Sequence, residues 1–141
     1  MTKMERYRVF DHTADLGMEI YGRTARDLFS NAAFAVFDII TDLNQVSSRE
    51  TRNIVVEGSG WEDLLVNFLR EVLYLFNGEG FLSKECVVRA IDEVCVEGMM
   101  SGERFDPSRH RINKEIKAVT YHQVTVRETP ELWMGRVIFD V

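Results

Sequence analysis

The sequence predicts an α+β protein in which two helices pack on mostly antiparallel β-sheets. Both stretches with helical spacing of apolar residues lie before residue 78, and strand-like stretches fill the rest of the chain. The predicted element order is β-β-α-β-α-β-β-β-β, whereas a parallel α/β fold needs helices that alternate with strands to the end. A chain of 141 residues can bury one good core, so we expect a single domain over residues 1–141.

The first two strands are predicted on either side of an acidic turn. Residues 7–10 are predicted to form a short first strand, and residues 17–22, which alternate apolar and polar side chains, a second one; DHTAD at 11–15 separates them. A turn at Thr13 and Ala14 would bring the carboxylates of Asp11 and Asp15 together, which requires a cation or a proton between them. The alternative is that one of these acids only caps a turn through its own backbone. The residues alone leave both interpretations open.

Two helices and one strand follow. The first helix is predicted over 24–41, because Thr24 followed three residues later by Asp27 is typical of a helix N-terminus. A strand is predicted over 52–57. The second helix is expected to be capped by Ser59 or Gly60, and to stop at 77–78 where Asn and Gly occur. The short Gly-Ser-Gly run before it favours capping over anion binding.

The second half of the chain is predicted to be strands and loops. We expect strands over 81–82 and 85–96, then over 117–121 and 132–139, with 123–127 continuing the strand at 117–121 or pairing beside it. Segment 98–104 is predicted to be a turn or an edge strand, 105–110 a loop, and 128–131 a turn. The two cysteines, Cys86 and Cys95, lack metal-site spacing and are predicted to be small core residues.

Composition and charge exclude several functions. A net charge of −6 argues against a surface that binds nucleic acid by itself, which needs clustered Lys and Arg. Residues 2–6 lead into no apolar signal-peptide core, and no apolar run reaches the ~18 residues of a membrane span. We therefore expect a reduced, cytoplasmic protein. The sequence has no GxSxG, P-loop or GxGxxG motif, and its three His lack zinc-site spacing.

The final strand leads directly into two further sources of oxygen ligands. Asp140 and the terminal carboxylate of Val141 would be held in place if this strand is central in its sheet. With Asp15 they would form a three-oxygen set for a hard cation such as Ca²⁺ or Mg²⁺. The alternative is an exposed acidic terminus without a role. Lys117, at the start of a predicted strand, is either a phosphate or carboxylate contact or a solvated side chain.

Several motifs spread along the chain resemble the archease family. They are DHTAD at 11–15, Gly102-Glu103, KAVTYH at 117–122, Trp133, and FDV at 139–141. The resemblance implies a fold of helices on antiparallel sheets with a strand-helix-strand module. It implies that a divalent ion of the Ca or Mg/Mn type is held by Asp15, Asp140 and Val141. It also implies functional roles for Asp11, His12 and Lys117, of which Asp11 and His12 would support the metal ligands or face a partner.

The resemblance implies a function in RNA ligation. Archeases assist the RtcB-type RNA-splicing ligase, which joins tRNA exon halves through a guanylylated histidine, and they promote its guanylylation and multiple turnover. The chain would then be an activator and not an enzyme, and it would meet tRNA only through the ligase. The alternatives are a metal-dependent hydrolase or nuclease, and a general chaperone or interaction module. The loop at 105–115 is expected to act at most as a partner surface.

Overall fold

The computed structural model describes residues 5–141 of the chain. We expect no signal peptide to begin in residues 2–6. Residues 2–4 of this segment lie outside the described residues. The elements in chain order are β1 (Tyr7–His12), β2 (Asp15–Gly22), α1 (Ala25–Ile40), a short 3₁₀ helix (Leu43–Gln45), β3 (Glu50–Glu57), α2 (Trp61–Asn77), β4 (Phe81–Asp92), β5 (Cys95–Arg104), β6 (Ala118–Glu128) and β7 (Trp133–Asp140). The α+β class is confirmed, with both helices in the first part of the chain and strands filling the rest.

The strands form two antiparallel sheets. The four-stranded sheet has the order β1-β2-β7-β6, and the three-stranded sheet has the order β3-β5-β4. Helix α1 packs mainly on β4 and β2, one strand from each sheet, while α2 packs mainly on β6 and β3. Strand β7 therefore lies in the interior of its sheet, between β2 and β6. This position places the end of β7 beside the hairpin of β1 and β2.

The two helices begin and end close to where the sequence predicts. The hydroxyl of Thr24 accepts a hydrogen bond from the Asp27 backbone N–H at 3.1 Å, which caps α1 as the spacing of these residues indicates. Gly60 is the N-cap of α2, with φ of 112°, a backbone conformation that favours glycine. The backbone N–H of Ser59 donates to the Asp63 carboxylate at 2.9 Å, which adds a further hydrogen bond at this end.

The prediction of one strand over 85–96 is wrong, because the chain reverses direction at Glu93 and Val94. The carboxylate of Asp92 accepts hydrogen bonds from the backbone N–H groups of Val94 and Cys95, both at 2.9 Å. An Asp that bonds the backbone two residues on is a turn device. The residues on both sides of this turn favour a β-strand. The alternation of apolar and polar residues therefore continues through the turn, and the sequence pattern does not reveal it.

Segment 98–104 is neither a turn nor an edge strand, since β5 is the central strand of its sheet. Its glycines allow close approach. A Cβ on Gly102 would overlap the backbone carbonyl oxygen of Leu82 on the neighbouring strand β4. Segment 123–127 continues the strand at 118–121, with a shift of register between Thr120 and Thr125.

The cysteine prediction holds for one of the two residues. Cys86 is buried, and burial raises the pKa of its thiol to about 12. Cys95 is half-buried at the first position of β5, beside the hairpin turn, so its assignment to the core is wrong. Both are free thiols.

The buried side chains form one hydrophobic cluster between the helices and the inner faces of both sheets. Its largest fully buried members include Phe29, Phe37, Phe68, Phe81 and Phe139. Within residues 5–141, no helix combines the length and the apolar character that crossing a membrane requires. Phe139 ties the last strand into this cluster, which fixes the position of the residues that follow it.

Candidate functional site

A tight hairpin places Asp15 at the end of the four-stranded sheet. The last pair of residues between β1 and β2 is His12 with Asp15. Thr13 and Ala14 form the turn between them, as predicted. Ala14 has φ of 67°, in the left-handed region that residues other than glycine adopt only at a cost. The hairpin is thus as short as two strands permit, and its tip holds His12 and Asp15 side by side.

The end of β7 brings a second carboxylate to the same place. The last pair between β2 and β7 joins Leu16 to Phe139, so Asp15 and Asp140 are the next residues outward on these two neighbouring strands. Leu16 and Phe139 point into the core, and because strand side chains alternate, Asp15 and Asp140 share the outer face. Opposed residues on adjacent strands have Cβ atoms about 4.5–5.5 Å apart, and opposed like charges repel.

Val141 follows Asp140 and is anchored by its side chain, which is half-buried against the core. The backbone N–H of Lys117 donates to the carbonyl oxygen of Asp140 at 2.8 Å, which ties the start of β6 to the same end of the sheet. We call the sheet end that carries Asp15, Asp140 and Val141 the acidic tip. The last strand lies inside its sheet, which is the condition under which the sequence predicts that Asp140 and Val141 are held in place.

Asp11 does not join the acidic tip. It pairs with Leu16 in the hairpin, so its side chain lies on the face opposite to that of His12 and Asp15. Of the two interpretations that the sequence left open, the one in which Asp11 and Asp15 converge is therefore wrong. A shift of one residue in a strand moves a side chain to the other face, and the sequence gives no means of counting the turn to that precision.

Two imidazoles meet beside Asp15. The rings of His12 and His122 lie 5.3 Å apart between centroids in an edge-to-face arrangement. His122 belongs to the segment where β6 loses register with β7, and its neighbour Gln123 has φ of 55°. Among residues 5–141, Ala14 and Gln123 are the only residues other than glycine with positive φ. Backbone strain at both segments therefore accompanies the contact of the two rings.

The tip leaves one nitrogen without a partner. His12 Nδ1 is buried and is the only buried side-chain nitrogen or oxygen among residues 5–141 that lacks a hydrogen-bond partner. It lies 3.9 Å from an Asp15 carboxylate oxygen, which is beyond hydrogen-bond range. Buried polar atoms are rarely left unsatisfied. Two opposed carboxylates beside such a nitrogen fit a cation-binding site whose ligands tighten around the ion.

Side chains alone supply two oxygen-bearing groups to this site. No group of three or more His, Cys, Asp or Glu side chains that could hold a metal occurs in the described part of the chain. Val141, the next residue after Asp140, brings only main-chain oxygen atoms to this end of the sheet.

Sequence reasoning missed a buried polar network at the end of β5. The Glu103 carboxylate accepts two hydrogen bonds from the Arg109 guanidinium, at 2.7 and 3.0 Å, and one from the Ser47 backbone at 2.6 Å. His110 Nε2 lies 3.1 Å from it and is fully buried. These bonds, chiefly those from Arg109, lower the pKa of Glu103 to about 2 against the opposing effect of burial.

This network secures the loop after β5. Thr41 adds a hydrogen bond to the Arg111 carbonyl oxygen at 2.7 Å, and it bridges to Ile112. Only Gly102-Glu103, one of the motifs of the family resemblance, signalled this network in the sequence. Trp133, another of those residues, packs edge-to-face on Trp61 at 4.9 Å, so it joins β7 to the start of α2.

The fold and the tip define an α+β protein that presents charged groups at the open end of a sheet. The model of the Archease protein family (MTH1598/TM1083) matches residues 7–141. The chain belongs to the archease family.

Relatives and a solved structure agree with this assignment over nearly the whole chain. Protein archease of Pyrococcus abyssi is 34% identical, covering 98% of this chain and 100% of the relative. Protein archease of Methanosarcina acetivorans is 35% identical, covering 97% of both chains. The solution structure of protein 1598 of Methanobacterium thermoautotrophicum is similar with a TM-score of 0.82 at 32% identity, and the match covers 98% of this chain and 100% of that one.

Proposed function

We propose that this protein activates an RtcB-type RNA ligase by presenting a divalent ion at its acidic tip, and that it is not itself an enzyme. The observation that carries the proposal is the position of Asp15 and Asp140 at the ends of neighbouring strands, one residue beyond the last pair of the ladder. Two carboxylates brought to the same face at the ends of neighbouring strands favour a positive charge between them. The family to which the chain belongs provides the RNA-ligation context.

Asp15, Asp140 and the carboxylate of Val141 are the proposed ligands of the ion, which is of the Ca or Mg/Mn type. Such an ion supplies positive charge where phosphate oxygens must be stabilised. His12 supports this ligand set from beside Asp15: its Nδ1 lies 3.9 Å from an Asp15 carboxylate oxygen and has no hydrogen-bond partner of its own. Lys117, at the start of β6, contacts a phosphate or a carboxylate of the ligase, while Asp11 faces the ligase from the other side of the hairpin.

The proposed partner is the ligase, and tRNA is met only through it. A chain with 23 acidic and 17 basic residues is a poor match for bare RNA, but its acidic tip is complementary to a metal- and phosphate-binding active site. The loop at 105–115 is a further candidate for contact with the ligase. We expect the protein in the cytoplasm with its partner, where both free thiols would stay reduced.

An RNA ligation assay tests this function. The cognate ligase, GTP, a divalent ion and RNA halves are incubated with or without this protein, and ligated product per ligase molecule is counted. The wild-type protein should raise this number well above one. Asp15→Asn and Asp140→Asn should remove the stimulation, because each takes a charged ligand from the ion. Asp27→Asn, a matched change of an exposed acid in the first turn of α1, should stimulate like wild type.

Other outcomes would favour another function. Full stimulation by both tip variants would contradict the metal-holding role and favour a general chaperone or interaction module. Cleavage of RNA or nucleotide by the purified protein alone would favour a metal-dependent hydrolase or nuclease. A chain extended beyond Val141 should stimulate poorly, because the extension removes the terminal carboxylate from the ligand set.

A further inference from the structure

We infer that the groove between α2 and the start of β6 binds a mononucleotide. Its volume of about 320 Å³ lies at the lower end of the range for small-ligand sites, about 300–1,000 Å³. One stripe of α2 and the first residues of the edge strand β6 line it: Arg70, Leu73, Tyr74, Asn77, Lys117 and Val119. The inference goes beyond ligase activation and is tested without the ligase.

Two cations flank the groove without carboxylate partners. Among residues 5–141, no carboxylate oxygen lies within the 4.0 Å ion-pair distance of Arg70 or Lys117. The Arg70 guanidinium instead stacks on the ring of Tyr121, 4.7 Å from its centroid. In a chain with more acidic than basic residues, two unpaired cations at one groove mark it as an anion site. A stacked guanidinium keeps its N–H edges free for a phosphate.

A hydrogen bond from the hydroxyl of Tyr121 fixes the ring on which Arg70 stacks. The hydroxyl donates to Asp63 at 2.7 Å, so this ring is anchored to α2. The negative charge of Asp63 is thereby used by Tyr121 and by the backbone N–H of Ser59. The guanidinium is held in place by a ring and not by an acid, which leaves its charge available to a ligand.

An exposed aromatic ring forms one wall of the groove. Tyr74 is 53% exposed, and its ring lies over Gly78, where a Cβ would overlap the ring carbons. The contact with Gly78 restrains the ring, and the exposed part of the side chain remains available to a ligand. Leu73 and Val119, both buried, form an apolar floor beside it. A restrained aromatic face next to apolar side chains is the environment in which a planar base stacks.

Asn77 adds a hydrogen-bond acceptor to the groove. Its side-chain N–H donates to the Ile116 carbonyl oxygen at 3.0 Å, which fixes the orientation of the amide. The amide oxygen is then the free end of this side chain, and it accepts from an N–H group such as the exocyclic amine of a purine. Phosphate-binding cations, a stacking face and an acceptor together select a purine mononucleotide over an inorganic anion or an acidic peptide.

Calorimetric titration of GMP and AMP into the full chain in EDTA tests the inference apart from any ion at the acidic tip. Wild type should bind at least one of the two. Arg70→Ala should weaken binding about tenfold or more, the usual effect of losing a charge-assisted hydrogen bond. Tyr74→Ala should weaken it by about the same factor, whereas Tyr74→Phe should bind like wild type because stacking needs only the ring. Arg26→Ala, which removes an exposed arginine from α1, is the matched control and should leave binding unchanged.

Several results would overturn the inference. They are absence of nucleotide binding by folded wild type, equal affinity for inorganic phosphate and GMP, or wild-type affinity in Arg70→Ala. Tighter binding of a 5′-phosphorylated single-stranded oligonucleotide than of GMP or AMP would make the groove an RNA site instead. Circular dichroism and thermal denaturation establish that each variant is folded. The side chains of Arg70 and Tyr74 are both exposed, so their replacement leaves the core intact.

Discussion

The change Glu103→Gln tests whether the buried network behind β5 stabilises the fold. The substitution keeps the size of the side chain but removes its charge and replaces one acceptor oxygen with an NH₂ group. That group must face a donor, since Arg109, Ser47 and His110 all direct N–H groups or a ring nitrogen at the carboxylate. The side chain of Glu103 is only 5% exposed, so water cannot replace the lost bonds.

The expected loss follows from the burial of the pair. Removing one partner of a buried ion pair costs about 3–5 kcal/mol. The Arg109 side chain is 38% exposed and is partly hydrated after the change, so we expect the free energy of unfolding to fall by about 2–4 kcal/mol. Glu50→Gln is the matched control, because its ion pair with Arg52 at 2.9 Å is far more exposed, and we expect it to cost less than about 1 kcal/mol.

Urea denaturation measures both losses. With a slope of about 2 kcal/mol per M, the midpoint of Glu103→Gln should lie about 1–2 M below wild type at pH 7, with the slope unchanged. The pKa of Glu103 is lowered to about 2 from an ordinary 4.5, so its stabilisation is complete above pH 4.5 and is lost as pH falls toward 2. The difference between wild type and variant should therefore shrink in acid. A midpoint equal to wild type at pH 7, or a difference that persists undiminished near pH 2, would refute the reasoning.

Three further measurements follow from the fold and the tip. Thr24→Ala should lower the free energy of unfolding by about 1 kcal/mol in urea denaturation, because the Asp27 N–H loses its capping partner; an unchanged midpoint would contradict this. Gly102→Ala should cost about 1–3 kcal/mol or more, since the Leu82 backbone must move; wild-type thermal stability would exclude so close a packing. EDTA should lower the Tm of wild type but not that of Asp140→Asn. If the ion is present at about 100 times its Kd, its removal lowers the free energy of unfolding of wild type by about 2.7 kcal/mol. Equal responses of the two proteins would contradict the ligand assignment.

The order of elements could be predicted because it depends on local patterns. Helical spacing, the Thr24 cap and the glycines after α2 are each contained within a few residues. The hairpin at Glu93 and Val94 escaped because its turn is made by a single side chain, Asp92, inside a run of strand-forming residues.

The candidate site depended on register and topology, which local patterns do not contain. Asp15 and Asp140 lie at the same end of the sheet only because β7 pairs with β2. The packing of the whole core determines that pairing. Asp11 was misplaced because one residue of register changes the face. The contact of His12 with His122 requires the register shift in β6, for which the residues around Gln123 carry no recognised signal.

The most direct measurement of the proposed function is the rate at which labelled GTP guanylylates the cognate ligase. A sub-stoichiometric amount of wild-type protein with a divalent ion should raise this rate, and Asp140→Asn should leave it at the level of the ligase alone. The two proteins differ by one charge at the end of an interior strand, where the exposed side chain of Asp140 carries no part of the core. Equal acceleration by Asp140→Asn would contradict a role for an ion held at the acidic tip.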